Sequence, residues 1–213
     1  MKASAVAHPI QGLIKYHGLR DEVLRLPYHD SISVATSPTA SHTTIEFGDF
    51  EADRAELDSR VLDGREMERV VSVVDEVRRR AESKARFRMR STNNFPSNVG
   101  LGSSASGFAA LALAGSEALG LCLTLEQVSV IARRGAGSAT RSVTGAFSRW
   151  KAGHDDEESY SSQIAAEDFE MGIVVALVPA FKYTESAHRA VLGSPFFHSR
   201  LAYIHGALAE MES

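Results

Sequence analysis

The sequence predicts an α+β fold, and two observations carry that expectation. Segments that alternate apolar and polar residues, as half-buried strands do, are interspersed with segments of helical spacing, without the strict strand–helix–strand order of a parallel sheet. The composition, 44% hydrophobic and 23% charged over 213 residues, supplies enough apolar side chains for a sizeable core. That length accommodates one domain, or one domain and part of another.

In chain order, ASAVAH at 3–8 reads as an opening strand, punctuated by Pro9 and Gly12. DSISVATS (30–37) and TTIEFGDF (43–50) alternate in the strand manner and suggest a hairpin-like pair. Residues 65–83 carry Met67, Val70, Val71, Val74 and Val77 at helical spacing. ARFRMRST (85–92) alternates Phe87 and Met89 with Arg86, Arg88 and Arg90, a strand with one charged face. Ser106 to about Leu119 reads as a buried helix. Thr124 opens another, with Gln127 as its capping-box partner and Gly135 as its stop. GIVVALVPA (172–180) reads as an apolar strand ended by Pro179, and the chain from about Ser194 as helical.

Net charge is −4 and the pI about 6.1, so no global basic field points to nucleic acid. The arginines between 65 and 90 are interleaved with acids or lie on one strand face, as on a solvated surface. The run from His154 to Glu158 reads as a solvated loop rather than a metal site. A single cysteine, Cys122, excludes an internal disulfide framework and a thiolate cluster; its setting, LGLCL, predicts a buried thiol. The N-terminus lacks a signal-peptide core, and the longest apolar stretch is broken by Gly115, Ser116 and Glu117. The reading is of a soluble cytoplasmic protein without a membrane partner.

The least ordinary stretch is NNFPSNVGLGSSASGFAALALAG, residues 93–115. Pro96 fixes the backbone, Gly100 and Gly102 permit conformations closed to other residues, and Ser103, Ser104 and Ser106 lead into a helix. A bare helix start presents backbone N–H groups and a positive dipole end, between which a phosphate fits. Serine hydroxyls add hydrogen bonds or an oxygen for Mg²⁺. It is neither a Walker loop, having no Gly-Lys-Ser/Thr, nor the dinucleotide fingerprint, because Ala105 takes the third required position. From the residues alone, a phosphate cradle and an ordinary serine-capped loop both remain open.

PSNVGLGSSASG resembles the phosphate-binding loop of the GHMP kinase superfamily, and the longer stretch that of the mevalonate diphosphate decarboxylase family. GLIKYHGLRDEVLRLPYHDSISV (12–34), GSATRSVTGAFSRW (137–150) and ALVPAFKYTESAH (176–188) resemble further family segments in the same order. The resemblance implies a GHMP kinase fold. An N-terminal ribosomal-protein-S5-domain-2-like domain that binds ATP would occupy 1–168, and 169–213 would begin a ferredoxin-like C-terminal domain. It also implies a longer family chain, with the aspartate that faces the 3-hydroxyl beyond residue 213, and extends to this chain the homodimers found in the family.

By the same resemblance, ATP and Mg²⁺ are cofactors, and a mevalonate phosphoester is phosphorylated on its 3-hydroxyl and then loses phosphate and CO2. Lys15 matches the active-site lysine, Arg141 the arginine near the substrate carboxylate, and Ser103 the loop serine that contacts phosphate or metal. Tyr16, His17, Arg20 and Ser138 match the substrate pocket. Pro96, Gly100, Leu101, Gly102, Ser103, Ser104, Ala105 and Ser106 form the ATP-phosphate loop. Leu19 stands where diphosphate-using members carry a lysine, and HPIQGLIKYHG looks like the phosphomevalonate decarboxylase branch. Both imply mevalonate 5-phosphate as substrate and isopentenyl phosphate as product. The 5-diphosphate, a GHMP kinase acting on a related alcohol, and a non-catalytic ATP-binding fragment are the alternatives. Ala136, Thr140 and Glu185–His188 also depart from the family pattern.

Overall fold

The computed structural model describes residues 1–97, 99–166, 169, 171–176 and 184–212. Eleven strands are described: β1 (Lys2–Ala7), β2 (Ile10–Ile14), β3 (Leu19–Asp21), β4 (Leu26–Pro27), β5 (Ser31–Ala35), β6 (Ser41–Gly48), β7 (Arg54–Leu57), β8 (Arg60–Val61), β9 (Arg86–Asn93), β10 (Phe147–Trp150) and β11 (Ser161–Gln163). The helices are α1 (Gly64–Arg80), α2 (Ser103–Ala118), α3 (Leu125–Arg133), α4 (Ala139–Thr144), α5 (Thr184–Leu192) and α6 (Phe197–Glu212). One sheet has the order β1-β6-β9-β7-β8, a second β11-β10-β5-β2, and β3 pairs with β4. The predicted α+β class holds.

The first sheet follows from its alternation. Along β6 and β9, Ile45 faces Met89 and Phe47 faces Phe87, all buried, while Arg86, Arg88 and Arg90 point outward. Val70, Val73, Val74 and Val77 of α1 and the alanine-rich body of α2 close over the buried face in one core. Small residues on α2 let it lie close: a Cβ on Gly115 would meet Val77 Cγ2 at 3.4 Å. A smaller cluster joins Ile14 and Ile32 of the second sheet to Ile204 and Leu208 of α6.

Five expectations are corrected. The segments 30–37 and 43–50 do not form a hairpin: β5 pairs with β2 and β10, and β6 with β1 and β9. Alternation marks a half-buried strand without naming its partner. The buried helix begins at Ser103 rather than Ser106, because left-handed Gly102 serves as its N-cap. Cys122 is exposed; in the extended link after α2 its neighbours Leu121 and Leu123 pack on the core and it faces away. Residues 172–176 carry no strand, and 177–180 lie outside the described residues. The 154–158 run is not wholly solvated: Arg133, at the end of α3, is wholly buried and pairs with Asp156, which also holds Arg134 at 2.5 Å. Asp156 therefore turns inward from the otherwise exposed 154–158 loop.

Not all of the arginines between 65 and 90 are solvated either. Arg78 grips Asp53 through both Nη atoms, at 3.0 and 2.7 Å, and its Nε donates to the Ala85 carbonyl at 2.9 Å. Burial alone would raise the Asp53 pKa, but Arg78 and the Phe87 amide outweigh it and hold the carboxyl below its usual range. The pair closes the end of α1 onto β9. Asp53→Ala leaves Arg78 with Asp75 at 3.0 Å and the Ala85 carbonyl but without its bidentate partner, and is expected to cost about 1.5–3 kcal/mol in a denaturant titration at neutral pH. Because the folded-state pKa is depressed, this stabilisation is complete above the ordinary carboxylate value. It disappears as pH falls through the folded one, so wild type and variant converge in acid.

Candidate functional site

The glycine–serine stretch is braced at its entrance. The Asn93 side chain accepts from Ser41 Oγ at 2.5 Å and donates to Ser97 Oγ at 2.9 Å. Asn94 accepts from the Ala40 amide at 2.7 Å and donates to the Pro38 carbonyl at 3.0 Å. Pro96 is exposed and Leu101 half-buried, and Asn98 lies outside the described residues. Gly100 and Gly102 both take left-handed φ, 90° and 84°. At Gly102 the requirement is double, because a Cβ would also meet the Ile10 carbonyl and Pro9 Cβ at 3.2 Å. The start of α2 is thereby seated on the corner between β1 and β2.

Gly102, the N-cap, has no side chain with which to cap α2, and no acid sits in the helix's first turn. Its end keeps backbone donors and dipole charge without a negative partner from its own sequence. Ser103 and Ser104 line a cavity of about 410 Å³ between α1, α2 and the β7–β9 edge. Its lining is mixed: Leu57, Val70, Met89 and Phe108 are apolar, Asn93 and Ser97 are polar, and Asp58, Glu66, Arg60 and Arg69 carry charge. Ala105 and Ser106 are buried; Ser106 bonds Ser41 Oγ at 2.7 Å and so ties the helix to β6. Of the expected loop residues, Ser103 and Ser104 face the cavity and Ser106 belongs to the scaffold.

A second cavity, about 270 Å³, lies beside it; among the described residues it is lined by Tyr16, Leu19, Ser138, His188 and four arginines, Arg25, Arg65, Arg69 and Arg189, against one acid, Glu22. Ser104 and Arg69 line both cavities. Arg69 is held at this shared wall by Nε donation to the Gly135 carbonyl at 2.8 Å and by stacking over Phe108 at 4.6 Å. The helical spacing of 65–83 put Arg69 among solvated residues; only the meeting of the two cavities gives it another role.

Tyr16 is wedged edge-on against Trp150 at 4.8 Å. Glycine is required at 137, where a Cβ would lie 2.7 Å from the Trp150 ring and 2.8 Å from the Tyr16 hydroxyl. Burial raises the Tyr16 pKa, with Arg141, Arg25 and Arg69 acting in opposition. Arg141, on α4, is 2% exposed and stacks against Tyr16 at 5.7 Å. Burial lowers its pKa to about 10, so it is charged at neutral pH. Its Nε and Nη1 are buried, with no hydrogen-bond partner among the described residues. Folding alone does not account for a desolvated, unsatisfied guanidinium.

Among the described residues, the cavity walls do not include Lys15, His17, Arg20 or Arg141. Lys15 is exposed, with its stem folded back over Gly12. Arg20 donates to the carbonyls of Ala152 and Gly153 at 3.1 and 2.5 Å. His17 contacts Arg200 at 2.9 Å.

The model of the diphosphomevalonate decarboxylase-like N-terminal domain family matches residues 7–161. Phosphomevalonate decarboxylase of Haloferax volcanii is 50% identical over 213 residues, covering 99% of this chain and 66% of that protein. The solved mevalonate diphosphate decarboxylase from Enterococcus faecalis superposes with a TM-score of 0.87 at 31% identity, covering 98% of this chain and 65% of the other. A structure described as MDDEF in complex with MVAPP, AMPPCP and magnesium gives a TM-score of 0.88 at 32% identity, covering 98% and 66%. The chain thus spans about two thirds of the length of these relatives. With its mixed α+β architecture and its glycine–serine turn at the head of α2, it belongs to the diphosphomevalonate decarboxylase-like N-terminal domain family.

Proposed function

We infer that this chain takes part in the ATP-dependent decarboxylation of mevalonate 5-phosphate to isopentenyl phosphate, with release of ADP, phosphate and CO2. The observation that carries this reading is the wall shared by two cavities, where Ser104 at an uncapped helix start and Arg69 stand between them. Such a wall suits transfer of a phosphoryl group from a nucleotide on one side to an anionic acceptor on the other. The apolar lining residues of the larger cavity fit a purine base, and Ser103, Ser104 and the α2 amides fit its phosphates. Ser103 is the oxygen ligand we assign to Mg²⁺, which would neutralise phosphate charge when bound.

In the reaction, the bond between ADP and the γ-phosphorus breaks as the substrate 3-oxygen bonds to phosphorus and passes its proton to a carboxylate base, the role of the family aspartate that faces the 3-hydroxyl. The C3–O bond then breaks with its electron pair leaving on phosphate. The C1–C2 pair becomes the C2–C3 double bond as CO2 departs. Cations lower the cost of both steps by meeting charge on phosphoryl oxygens. Arg69 stands at the transfer wall, and Tyr16 and Ser138 line the acceptor cavity. Arg141 matches the family arginine near the substrate carboxylate, and its unpartnered Nε and Nη1 leave charged donors for such an anion. Lys15 takes the role of the family lysine toward the 3-oxygen through its matching motif.

Leu19 in the acceptor wall supports the monophosphate, since a charge-assisted contact of ~1.5–3 kcal/mol is absent there. The four arginines of the same cavity favour a second reading, the 5-diphosphate. Incubation with Mg-ATP and carboxyl-labelled substrate decides between them: labelled CO2 from the monophosphate in preference supports the first, and preference for the diphosphate overturns it. ADP without CO2 would make the protein a kinase, and nucleotide binding without ADP would leave a binding module.

Two substitutions test the site. Arg141→Met removes a buried, unsatisfied charge while keeping much of the volume. It is expected to raise the melting temperature by ~2–4 °C, the equivalent of about 1 kcal/mol, while acceptor affinity drops ~100-fold. Gly102→Ala forces a side chain into a left-handed turn against Ile10. It is expected to cost about 1–2 kcal/mol in stability and to weaken Mg-ATP binding about tenfold by calorimetry.

A further inference from the structure

Behind the acceptor cavity, α5 and α6 reach the segment that carries Lys15, Tyr16 and His17. Arg200 of α6 donates through Nη2 to the Lys15 carbonyl at 3.1 Å and to His17 Nδ1 at 2.9 Å. Its Nη1 faces His29 Nε2 at 3.4 Å. From α5, His188 Nδ1 accepts the Gly18 amide at 2.8 Å, and its ring lies 5.3 Å from Tyr16 and 5.8 Å from His17.

These contacts fix three protonation states. A guanidinium only donates, so His17 Nδ1 accepts and the proton of its neutral ring is on Nε2. A backbone amide only donates, so His188 has the same tautomer. His29 Nδ1 lies 2.6 Å from the Asp30 carbonyl, which only accepts; the proton is therefore on Nδ1, and Nε2 turns its lone pair toward Arg200. His29 is 1% exposed. Three neutral imidazoles thus act as acceptors around a single segment of chain, two of them for one guanidinium.

We propose that Arg200 is a positioning residue. By holding the Lys15 carbonyl and the neutral rings of His17 and His29, it locks the Lys15–Gly18 segment onto the C-terminal helices and so sets the acceptor wall formed by Tyr16. The proposal rests on the functional reading above only in naming the acceptor. Burial lowers the His17 pKa to about 4, aided by Arg200 from α6, His188 from α5, Lys15 on its own segment and His29 from the turn before β5. His29 is lowered first by burial and then by Arg200 and His205, against the Asp30 carbonyl and carboxylate. Both folded-state values lie below the ordinary value of 6.5, so the clamp is intact above that pH. It weakens as the pH falls toward about 4, where His17 gains a proton that faces a donor.

The test uses the full chain and Arg200→Gln, with Arg200→Lys as the conservative variant. Histidine ring ¹⁵N spectra should show His17 and His188 protonated on Nε2 and His29 on Nδ1, with His17 titrating near pH 4. In Arg200→Gln the His17 midpoint should rise by a unit or more. Affinity for mevalonate 5-phosphate should drop about tenfold while that for Mg-ATP is unchanged, and Arg200→Lys should recover part of both changes. A general loss of stability would weaken both ligands together and would overturn the proposal, as would the opposite tautomers or an unchanged His17 midpoint. If wild type binds no acceptor, the functional reading fails, and the histidine spectra still decide the clamp.

Discussion

The contact on which the site depends is the seating of Gly102 on the Pro9 ring and the Ile10 backbone. With φ at 84° and less room than a Cβ requires, the turn brings the first residues of α2 directly against the corner between β1 and β2. β2 runs on into Lys15 and Tyr16, and α2 opens with Ser103 and Ser104. One close approach therefore fixes the distance between the residues facing the two cavities. The scaffold reinforces it from both sides, through Ser106 to Ser41 of β6 and through Asn93 and Asn94 to Ser41, Ala40 and Pro38. A site built this way is positioned by main chain and by hydrogen bonds to the strands of the scaffold, the Ser106–Ser41 bond fully buried.

Charge is distributed by the same logic. The chain is net acidic, at −4, yet among the described residues four arginines and one glutamate surround the acceptor cavity. Elsewhere arginine serves construction: Arg78 closes on Asp53, Arg133 and Arg134 share Asp156, and Arg149 pairs with Asp30 at 2.6 Å. Arg141 fits neither group. It is buried like the structural arginines but keeps two unmatched nitrogens, and burial has pulled its pKa down to about 10. A local field of this kind concentrates an anion at one place, whatever the sign of the whole molecule.

Local pattern made much of this legible. Alternation located the strand of Phe87 and Met89, and the Thr124–Gln127 capping box is present in both directions. The glycines of the phosphate-type loop sit where left-handed backbone is needed. Pairing was less legible, because β5 and β6 read alike yet join different sheets. Residues whose role is relational were least legible. Arg69 belongs to a helix of alternating charge until two cavities meet at it, and Gly137 is an unremarked glycine until Tyr16 and Trp150 close over it. Arg20, matched to the substrate pocket by its motif, donates instead to the carbonyls of Ala152 and Gly153.

The acceptor cavity has contributors from distant parts of the chain: Tyr16 and Leu19 from the first strands, Arg65 and Arg69 from α1, Ser138 from the start of α4, and His188 and Leu192 from α5. No one of these elements can set the cavity's shape alone. Ile204 and Leu208 bury α6 against Ile14 and Ile32, a contact strong in area but with little directional content. The polar contacts of Arg200 and His188 supply direction, because each joins a donor to a particular lone pair on the Lys15–Gly18 segment or beside it. Apolar packing brings the C-terminal helices to the sheet, and the neutral imidazoles determine where the acceptor wall then stands.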